Sequence, residues 1–277
     1  MWDLLLLSQA VVMGVVEGLT EFLPISSTGH LIIAGQAIGF NPGSSVAFEM
    51  VIQLAAIFAV IIEYKNRVVS TVVGLGRDPI ANRFALNVIL AFLPSAFLGL
   101  IFAATIKSVL FSPVPVALAF IVGGFVILWV ESKVSRGHVV TRVHEVDEIS
   151  AFDALKLGFI QALSLIPGAS RSGATIIGGL WLGWSRVTAA QFSFFLAMPT
   201  ILAATLYEVF TSRHLLSMSD IPLFLVGSIS SFITAFFCVR WLIRFISRHD
   251  FRWFAWYRIG FGCLILLLTQ FELVSWE

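Results

Sequence analysis

Two carboxylates stand inside an otherwise apolar stretch near the start of the chain. Glu17 and Glu21 are four residues apart, so on a helix both side chains lie on one face. Carboxylates in such surroundings are costly unless they are paired, protonated or bound to a cation. Oxygen ligands suit Mg²⁺ or Ca²⁺ better than zinc. The pair therefore predicts metal binding or acid–base chemistry, with a helix-end pair facing a polar loop as the alternative.

A polar run follows these carboxylates. After a proline, the chain reads Ser26, Ser27, Thr28, Gly29 and His30. A hydroxyl here can cap a following helix, whose free N–H groups and positive dipole end favour an anion. Histidine can act as nucleophile, general acid or general base near neutral pH. The run predicts an anion site that includes Ser26 and Thr28; the alternative for His30 is a core histidine with satisfied hydrogen bonds.

One arginine lies in a second polar run within apolar sequence. Residues 167–175 contain Ser170, Arg171, Ser172 and Thr175, together with two glycines. A guanidinium can donate paired hydrogen bonds to phosphate or carboxylate oxygens. We predict that Arg171 and the three hydroxyls bind phosphate. An internal salt bridge from Arg171 to Glu17 or Glu21 is the alternative, and a site without substrate is compatible with both.

The composition defines the environment of these side chains. Of the 277 residues, 58% are hydrophobic and 12% are charged, and the mean hydropathy is +0.97. A soluble domain has about twice that charged fraction. The composition excludes a soluble enzyme, a nucleic-acid binder and a disordered protein, and it predicts an all-α polytopic membrane protein.

The apolar segments predict six spanning helices and two interrupted regions. The spans are residues 46–64, 84–106, 114–131, 191–210, 222–244 and 254–273. The interrupted regions are residues 4–39 and 154–184, which contain the two polar runs. Each is predicted to be a re-entrant helix hairpin whose turn is surrounded by protein or a wet cavity, because lipid does not tolerate exposed backbone.

The two halves of the chain resemble each other. Residues 14–19 align with 158–163, residues 24–27 with 167–170, and residues 32–35 with 176–179. Their common order predicts an internal duplication, about 1–140 and 150–277, within a single membrane domain 1–277. Each repeat contains one hairpin and three spans, an odd number, so the second repeat is predicted to be inverted relative to the first.

The positive charges predict the orientation in the membrane. With loop 65–83 in the cytoplasm, most Lys and Arg residues lie on that side: Lys65, Arg67, Arg77, Arg83, Lys133, Arg136, Arg142, Lys156, Arg186, Arg240, Arg244, Arg248, Arg252 and Arg258. The outer side keeps Lys107 and Arg213, with Trp2 and Trp276 near its interface. Both termini are therefore predicted to be on the outer side.

Inverted repeats that pack as a pair would bring the two polar turns together near the middle of the membrane. Arginine, hydroxyls, histidine, amide donors and a cation site would then surround one phosphate or diphosphate, and this depth implies that the rest of the substrate is lipid. Transporters share this architecture, so a carrier of a lipid phosphate is the alternative. A hydrolase is favoured, because a carrier has less use for serine and histidine together.

Three nucleophiles are open for such a hydrolase: Ser27 activated by His30, His30 itself, or a metal-bound water. The spacing of three residues on one helix face favours Ser27 with His30 as base. Glu49 and Gln53, four residues apart in the first predicted span, would line the mouth of the site or form a solvated helix end.

At these motifs the chain resembles the bacterial undecaprenyl-diphosphate phosphatase family of the bacitracin-resistance type. The resemblance rests on residues 17–21, 24–30 and 167–175 and covers essentially the whole chain. It implies hydrolysis of undecaprenyl diphosphate to undecaprenyl phosphate and inorganic phosphate, which recycles the carrier lipid for peptidoglycan and gives tolerance to bacitracin.

The same resemblance implies a location in the bacterial inner membrane, a divalent cation, Mg²⁺ or Ca²⁺, and a pocket open to the periplasm. Carried over by motif, Glu17 and Glu21 bind the cation and Ser27 or His30 attacks. Arg171, with the hydroxyls around it, holds the phosphates. The expected partners are a polyprenyl diphosphate lipid and the bilayer, with no nucleic acid; a homodimer is compatible with the sequence.

Overall fold

The computed structural model describes residues 4–42, 45–211 and 218–271. Within these ranges the chain forms helices joined by turns and by one longer connector, residues 136–150, and one isolated bridge pairs Val143 with Trp184. The helices are α1 (Leu4–Thr20), α2 (Ser27–Ile38), α3 (Ser45–Glu63), α4 (Lys65–Gly74), α5 (Pro79–Leu110), α6 (Pro113–Ser135), α7 (Ala151–Ala162), α8 (Arg171–Trp181), α9 (Arg186–Thr211), α10 (Ile221–Ile246) and α11 (Arg252–Gln270).

Five of the described helices are long and apolar enough to cross a membrane: α3, α5, α6, α9 and α10. The shortest of them, α3, has 19 residues, or about 28 Å at 1.5 Å per residue, close to the thickness of a bilayer core. Large apolar side chains point outward, such as Leu100, which is 74% exposed. The chain is therefore an all-α, multi-pass membrane protein, as its composition predicts. The predicted span 254–273 falls on α11 as far as Gln270, Phe271 is a turn residue after the helix, and the last two positions lie outside the described residues.

Each interrupted region forms a pair of short helices joined by a turn. The pairs are α1 with α2 and α7 with α8. The breaks occur at Ser26 (φ 70°, ψ 105°) and Ser170 (φ 71°, ψ 117°), the two non-glycine residues with positive φ in the described chain. Each serine directly precedes the second helix of its pair. The structural match is therefore Ser26 with Ser170, one residue away from the sequence alignment, which paired Ser27 with Ser170.

The packing of the helices places the two turns side by side. Helix α1 lies against α10, α7 lies against α5, and α6 pairs with α11. Helix α3 packs between α9 and α10. The end of α1 lies beside the start of α8, because Arg171, the first residue of α8, contacts Glu21, the residue directly after α1.

The connector between α6 and α7 is tied to the ends of the neighbouring helices. Arg67 of α4 forms an ion pair with Asp147, and Asn87 of α5 donates to the Ile149 carbonyl at 2.8 Å. The backbone N–H groups of His144 and Glu145 donate to the Glu148 carboxylate and lower its pKa. The connector is therefore an ordered part of the fold.

Candidate active site

The turns of the two helix pairs meet at an ion pair. Arg171, the first residue of α8, places Nη2 2.9 Å from Oε1 of Glu21, which follows the end of α1. The two side chains are 11% and 5% exposed. The polar turns thus come together as the two motifs predict, and the contact is the internal salt bridge that the sequence offers as an alternative role for Arg171.

Glu21 is the centre of this contact. While Oε1 accepts from Arg171, Oε2 accepts from Ser27 Oγ at 2.7 Å and from Gln53 Nε2 at 3.1 Å. Gln53 therefore belongs to the site, which favours the pocket reading over a solvated helix end. One carboxylate links both turns and α3.

Arg171 is held from behind by α9. Its Nη1 donates to the Ser193 carbonyl at 3.0 Å, and Thr175 Oγ1 lies 2.6 Å from Ser193 Oγ. Thr175 also donates to the Arg171 carbonyl at 2.9 Å. Arg171 Nε is buried and has no acceptor among the described residues. The guanidinium is thus held by Glu21 on one side and by Ser193 on the other.

The two serines beside Arg171 stabilise the turns. Ser170 Oγ accepts from the Gly173 N–H at 3.0 Å and so caps α8. Ser172 Oγ donates to the Leu23 carbonyl at 2.6 Å, which ties the second turn to the first. Both hydroxyls are thus engaged in holding the backbone.

A cavity of about 190 Å³ opens beside the ion pair. At roughly 30 Å³ per water molecule it has room for about six waters, enough for a phosphate group but not for a long lipid tail. Its walls are Glu21, Ser26, Ser27, Thr28, Gln53, Ser164, Ile166, Pro167, Gly168, Ser170, Arg171, Thr200, Ile201 and Ala204.

The predicted phosphate ligands divide into two groups around this cavity. Ser26, Thr28, Ser170 and Arg171 line it, whereas Ser172 and Thr175 contact the backbone and side chains behind it. Ser26 makes no side-chain capping bond at the start of α2, so the first N–H groups of that helix remain available to an anion. The cavity therefore combines a guanidinium, hydroxyls and a helix N-terminus.

His30 points away from this cavity. Its Nδ1 lies 2.7 Å from the Ser26 carbonyl and must carry the proton that this oxygen accepts. Its Nε2 lies 2.6 Å from the Tyr257 hydroxyl, and the ring stacks on Phe261 with centroids 4.2 Å apart.

The pairing of Ser27 with His30 that the sequence favours is not the arrangement in the structure, where Ser27 donates to Glu21. Residues three apart on a helix differ by about 60° in direction. That difference is enough for Ser27 to face α1 while His30 faces α11.

Comparison with known proteins identifies the family. The chain matches the family model for bacitracin resistance protein BacA over residues 10–264. The chain belongs to the BacA family.

Curated relatives of this BacA-family chain cover nearly its whole length. It is 54% identical over 274 residues to the undecaprenyl-diphosphatase of Janthinobacterium sp. (strain Marseille), with 99% of each chain covered. The undecaprenyl-diphosphatases of Herminiimonas arsenicoxydans and Polaromonas naphthalenivorans (strain CJ2) are 54% and 53% identical over the same length, again with 99% of each chain covered.

Glu17 is the residue of this BacA-family site that most needs a positive partner. It is fully buried, and among the described residues neither of its carboxylate oxygens has a hydrogen-bond donor. No group of three or more His, Cys, Asp or Glu side chains converges there within the described ranges. Mg²⁺ is commonly held by one or two carboxylates, with waters and substrate phosphate completing its shell. Glu17 does not line the cavity, but its buried oxygens, which accept no hydrogen bond within the described chain, suit a cation shared with the neighbouring Glu21.

Arg258 is the residue that the charge pattern misplaced. It was assigned to the cytoplasmic helix ends, but its side chain is buried, 1% exposed, and donates to the carbonyls of Pro24 and Gly168 in the two turns. Its position in a helix that begins with another arginine, Arg252, gave no signal that it faces inward. Ser193 and Tyr257 were also missed, because single polar residues inside apolar helices carry no distinguishing pattern.

Proposed function

We propose that this chain is an undecaprenyl-diphosphatase, a membrane hydrolase that converts undecaprenyl diphosphate to undecaprenyl phosphate and inorganic phosphate. The observation that carries the proposal is the junction of Arg171, Glu21 and Ser27 at one small cavity inside a membrane protein. The BacA-family match and the relatives' names support the same reaction. Recycling of the carrier lipid for peptidoglycan synthesis and tolerance to bacitracin follow from it.

Arg171 and the start of α2 would bind the terminal phosphate. Arg171 lines the cavity, and the uncapped N–H groups at Ser27 and Thr28 supply further donors to an anion there. When a phosphate enters, its oxygens also replace Glu21 as acceptors for Arg171. Substrate binding thereby releases one oxygen of the Glu21 carboxylate.

Ser27 is the nucleophile that this geometry favours, with Glu21 as its base. As Ser27 Oγ bonds to the terminal phosphorus, its proton passes to Glu21 along the existing hydrogen bond, whose two oxygens lie 2.7 Å apart. The bond from phosphorus to the bridging oxygen breaks, and Glu21 passes the proton to the departing undecaprenyl phosphate. Glu21 then takes a proton from water, which attacks the phosphoserine, and returns it to Ser27 as inorganic phosphate leaves.

The cation would be held by Glu17 and Glu21. When bound, Mg²⁺ or Ca²⁺ supplies positive charge that offsets the negative charge of the diphosphate oxygens. Both oxygens of Glu17 are buried, and within the described chain no hydrogen-bond donor reaches them. A bound cation would supply the positive charge that this carboxylate needs.

The proposal includes an inverted-repeat architecture within one membrane domain, 1–277. Helix α11 would be the sixth span, and the pairs α1–α2 and α7–α8 would be re-entrant hairpins. The support is that α1 packs on α10 while its counterpart α7 packs on α5. The close approaches also correspond: an added Cβ at Gly14 would lie 2.3 Å from the Gly227 carbonyl, and one at Gly158 would lie 2.7 Å from the Ala91 carbonyl.

We propose the bacterial inner membrane as the location, with the cavity open to the periplasm and both termini on that side. Apart from Arg171–Glu21, the ion pairs of the described chain involve arginines or lysines that the charge pattern assigns to the cytoplasm, such as Arg240–Glu63 and Arg186–Glu131. Those pairs would lie on the cytoplasmic side. The outer-side markers Arg213, Trp2 and Trp276, and the side chain of Lys107, lie outside the described residues.

Phosphate release in detergent tests the proposal, because no transport is possible there. Purified protein given farnesyl or undecaprenyl diphosphate should release phosphate with Mg²⁺ or Ca²⁺ and stop when the cation is chelated. Arg171→Ala should lose this activity, while Arg240→Ala, at an exposed arginine on α10, should keep it. Binding of the lipid without phosphate release by the wild-type chain would overturn the hydrolase and favour a lipid-phosphate carrier.

A further inference from the structure

Arg258 of α11 makes hydrogen bonds to both turns of the site. Its Nη1 donates to the Pro24 carbonyl at 3.1 Å, and its Nη2 donates to the Gly168 carbonyl at 3.0 Å. Two further bonds reach α6, from Nη2 to Ala119 at 3.0 Å and from Nε to Phe120 at 3.3 Å. One side chain thus joins four backbone carbonyls from three separate parts of the chain.

The two turn carbonyls occupy equivalent positions. Pro24 lies two residues before Ser26, and Gly168 lies two residues before Ser170, the paired serines with positive φ. A guanidinium is planar and its N–H groups point in fixed directions. Arg258 therefore sets the distance and the register between the two turns.

The surrounding sequence leaves room for this guanidinium. An added Cβ at Gly123 of α6 would lie 2.2 Å from Arg258 Nη2, and one at Gly173 of α8 would lie 3.1 Å from Nη1. Gly173 is the glycine that ends the Ser170–Arg171–Ser172 motif. Small residues on two helices make the space in which Arg258 reaches both turns.

The electrostatic cost indicates a role beyond filling space. Arg258 is 1% exposed, and within the described ranges no carboxylate forms an ion pair with it. Burying a charge without a counter-ion is expensive, and an apolar side chain of similar volume would fill the space without that cost. Four carbonyl oxygens compensate Arg258 only when both turns are in place.

We propose that Arg258 is a positioning residue of the phosphate site, which locks the two turns in register so that Ser27 and Arg171 face the same phosphate. This inference rests on the proposed hydrolase function. Arg258 does not touch the substrate; it acts through the backbone that precedes Ser26 and Ser170. A misplacement of about 1 Å between reacting groups can cost ~10²-fold in rate, so the loss should appear in kcat.

The test compares four variants in detergent: Gly123→Ala, Arg258→Met, Arg258→Lys, and Arg252→Met as the matched control on an exposed arginine of the same helix. Gly123→Ala keeps the arginine, but the added methyl would lie 2.2 Å from Arg258 Nη2, so the guanidinium must shift. The melting temperature checks that this variant stays folded. We expect Gly123→Ala and Arg258→Met to lose about 10²-fold in kcat with KM changed by less than about threefold. Arg258→Lys keeps the positive charge but loses the planar arrangement of N–H donors. Its kcat should therefore exceed that of Arg258→Met by less than about tenfold.

A distance measurement separates this inference from the hydrolase proposal. Spin labels at Leu19→Cys and Leu163→Cys, both exposed and close to the two turns, report the distance between them once exposed Cys263 is replaced by serine. The distance distribution should broaden in Gly123→Ala and Arg258→Met and stay narrow in Arg252→Met. An unchanged distribution, or a Gly123→Ala enzyme with wild-type kcat, would overturn the positioning role. A wild-type chain that releases no phosphate would overturn the proposed function, while the distances would still test Arg258.

Discussion

Arg171 and Glu21, 150 positions apart in the chain, are joined by a hydrogen-bonded ion pair of 2.9 Å. The pair lies between the two turns, and Glu21 also accepts the Ser27 hydroxyl. A phosphate would compete with Glu21 for the same guanidinium. The Glu21 carboxylate therefore occupies the position on Arg171 that a substrate phosphate would take. Entry of substrate would separate the pair and leave Glu21 beside the nucleophile.

Glu21→Gln should reduce kcat by at least ~10²-fold, because an amide cannot accept the Ser27 proton. It also leaves a buried Arg171 without its carboxylate, and breaking such a pair typically costs about 3–5 kcal/mol. The measurements are phosphate release and the melting temperature in detergent. Glu63→Gln, which removes a more exposed carboxylate at the last residue of α3, is the control. Wild-type kcat in Glu21→Gln would exclude Glu21 as the base.

Ser27→Ala should lose at least ~10²-fold in phosphate release while the protein stays folded. The substitution removes one hydrogen bond to Glu21, and Gln53 and Arg171 continue to satisfy that carboxylate. Stability should therefore change by only about 1 kcal/mol. A trapped phosphoserine at Ser27, found by mass spectrometry after acid quench of the wild-type reaction, would support direct attack. Full activity in Ser27→Ala would instead favour a water nucleophile.

Ser26→Gly separates backbone strain from phosphate binding. Ser26 holds φ at 70° and its side chain makes no capping bond, so glycine should relieve about 1 kcal/mol of strain and raise the melting temperature. If the Ser26 hydroxyl binds phosphate, KM should rise in the same variant. Ser170→Gly is the matched comparison, because its hydroxyl caps α8 and its removal should offset the relief of strain.

Much of this site could be predicted from sequence, since charges are rare in apolar segments and each one needs a partner. Glu21 and Arg171 are the clearest case: a carboxylate and a guanidinium in two broken helices had to meet or bind ligands. The helix breaks at Ser26 and Ser170 were also visible from the prolines before them.

What the sequence could not provide was the direction of side chains and the interior packing of helices. The spacing of Ser27 and His30 fixes a shared face but not where each side chain points, so the hydrogen bond from Ser27 to Glu21 was missed. The positive-inside rule counts charges along the chain, so it assigns Arg258 to the cytoplasmic loops and helix ends. That count cannot detect an arginine whose partners are the backbone carbonyls of distant turns.

Glu17→Gln should weaken the response to the cation more than it slows the chemistry. Among the described residues no donor reaches either oxygen of Glu17, so an amide there removes the charge of a proposed ligand but leaves Ser27, Glu21 and Arg171 in contact. The Mg²⁺ concentration for half-maximal phosphate release should rise at least ~10-fold, since charged ligands dominate affinity for hard cations. A titration of Mg²⁺ at saturating substrate measures this, with Glu63→Gln as control. An unchanged titration would remove Glu17 from the cation site.

His30→Asn distinguishes a supporting histidine from a catalytic one. An asparagine amide can still donate to the Ser26 carbonyl, the bond that His30 Nδ1 makes at 2.7 Å, but it can neither act as a base nor form a phosphohistidine. Because both ring nitrogens are engaged and the ring faces Phe261, we expect His30→Asn to lose less than ~10-fold in kcat, far less than Ser27→Ala. Tyr257→Phe, which removes only the bond to Nε2, should lose less still. A His30→Asn enzyme as slow as Ser27→Ala, with an unchanged melting temperature, would return His30 to the chemical step.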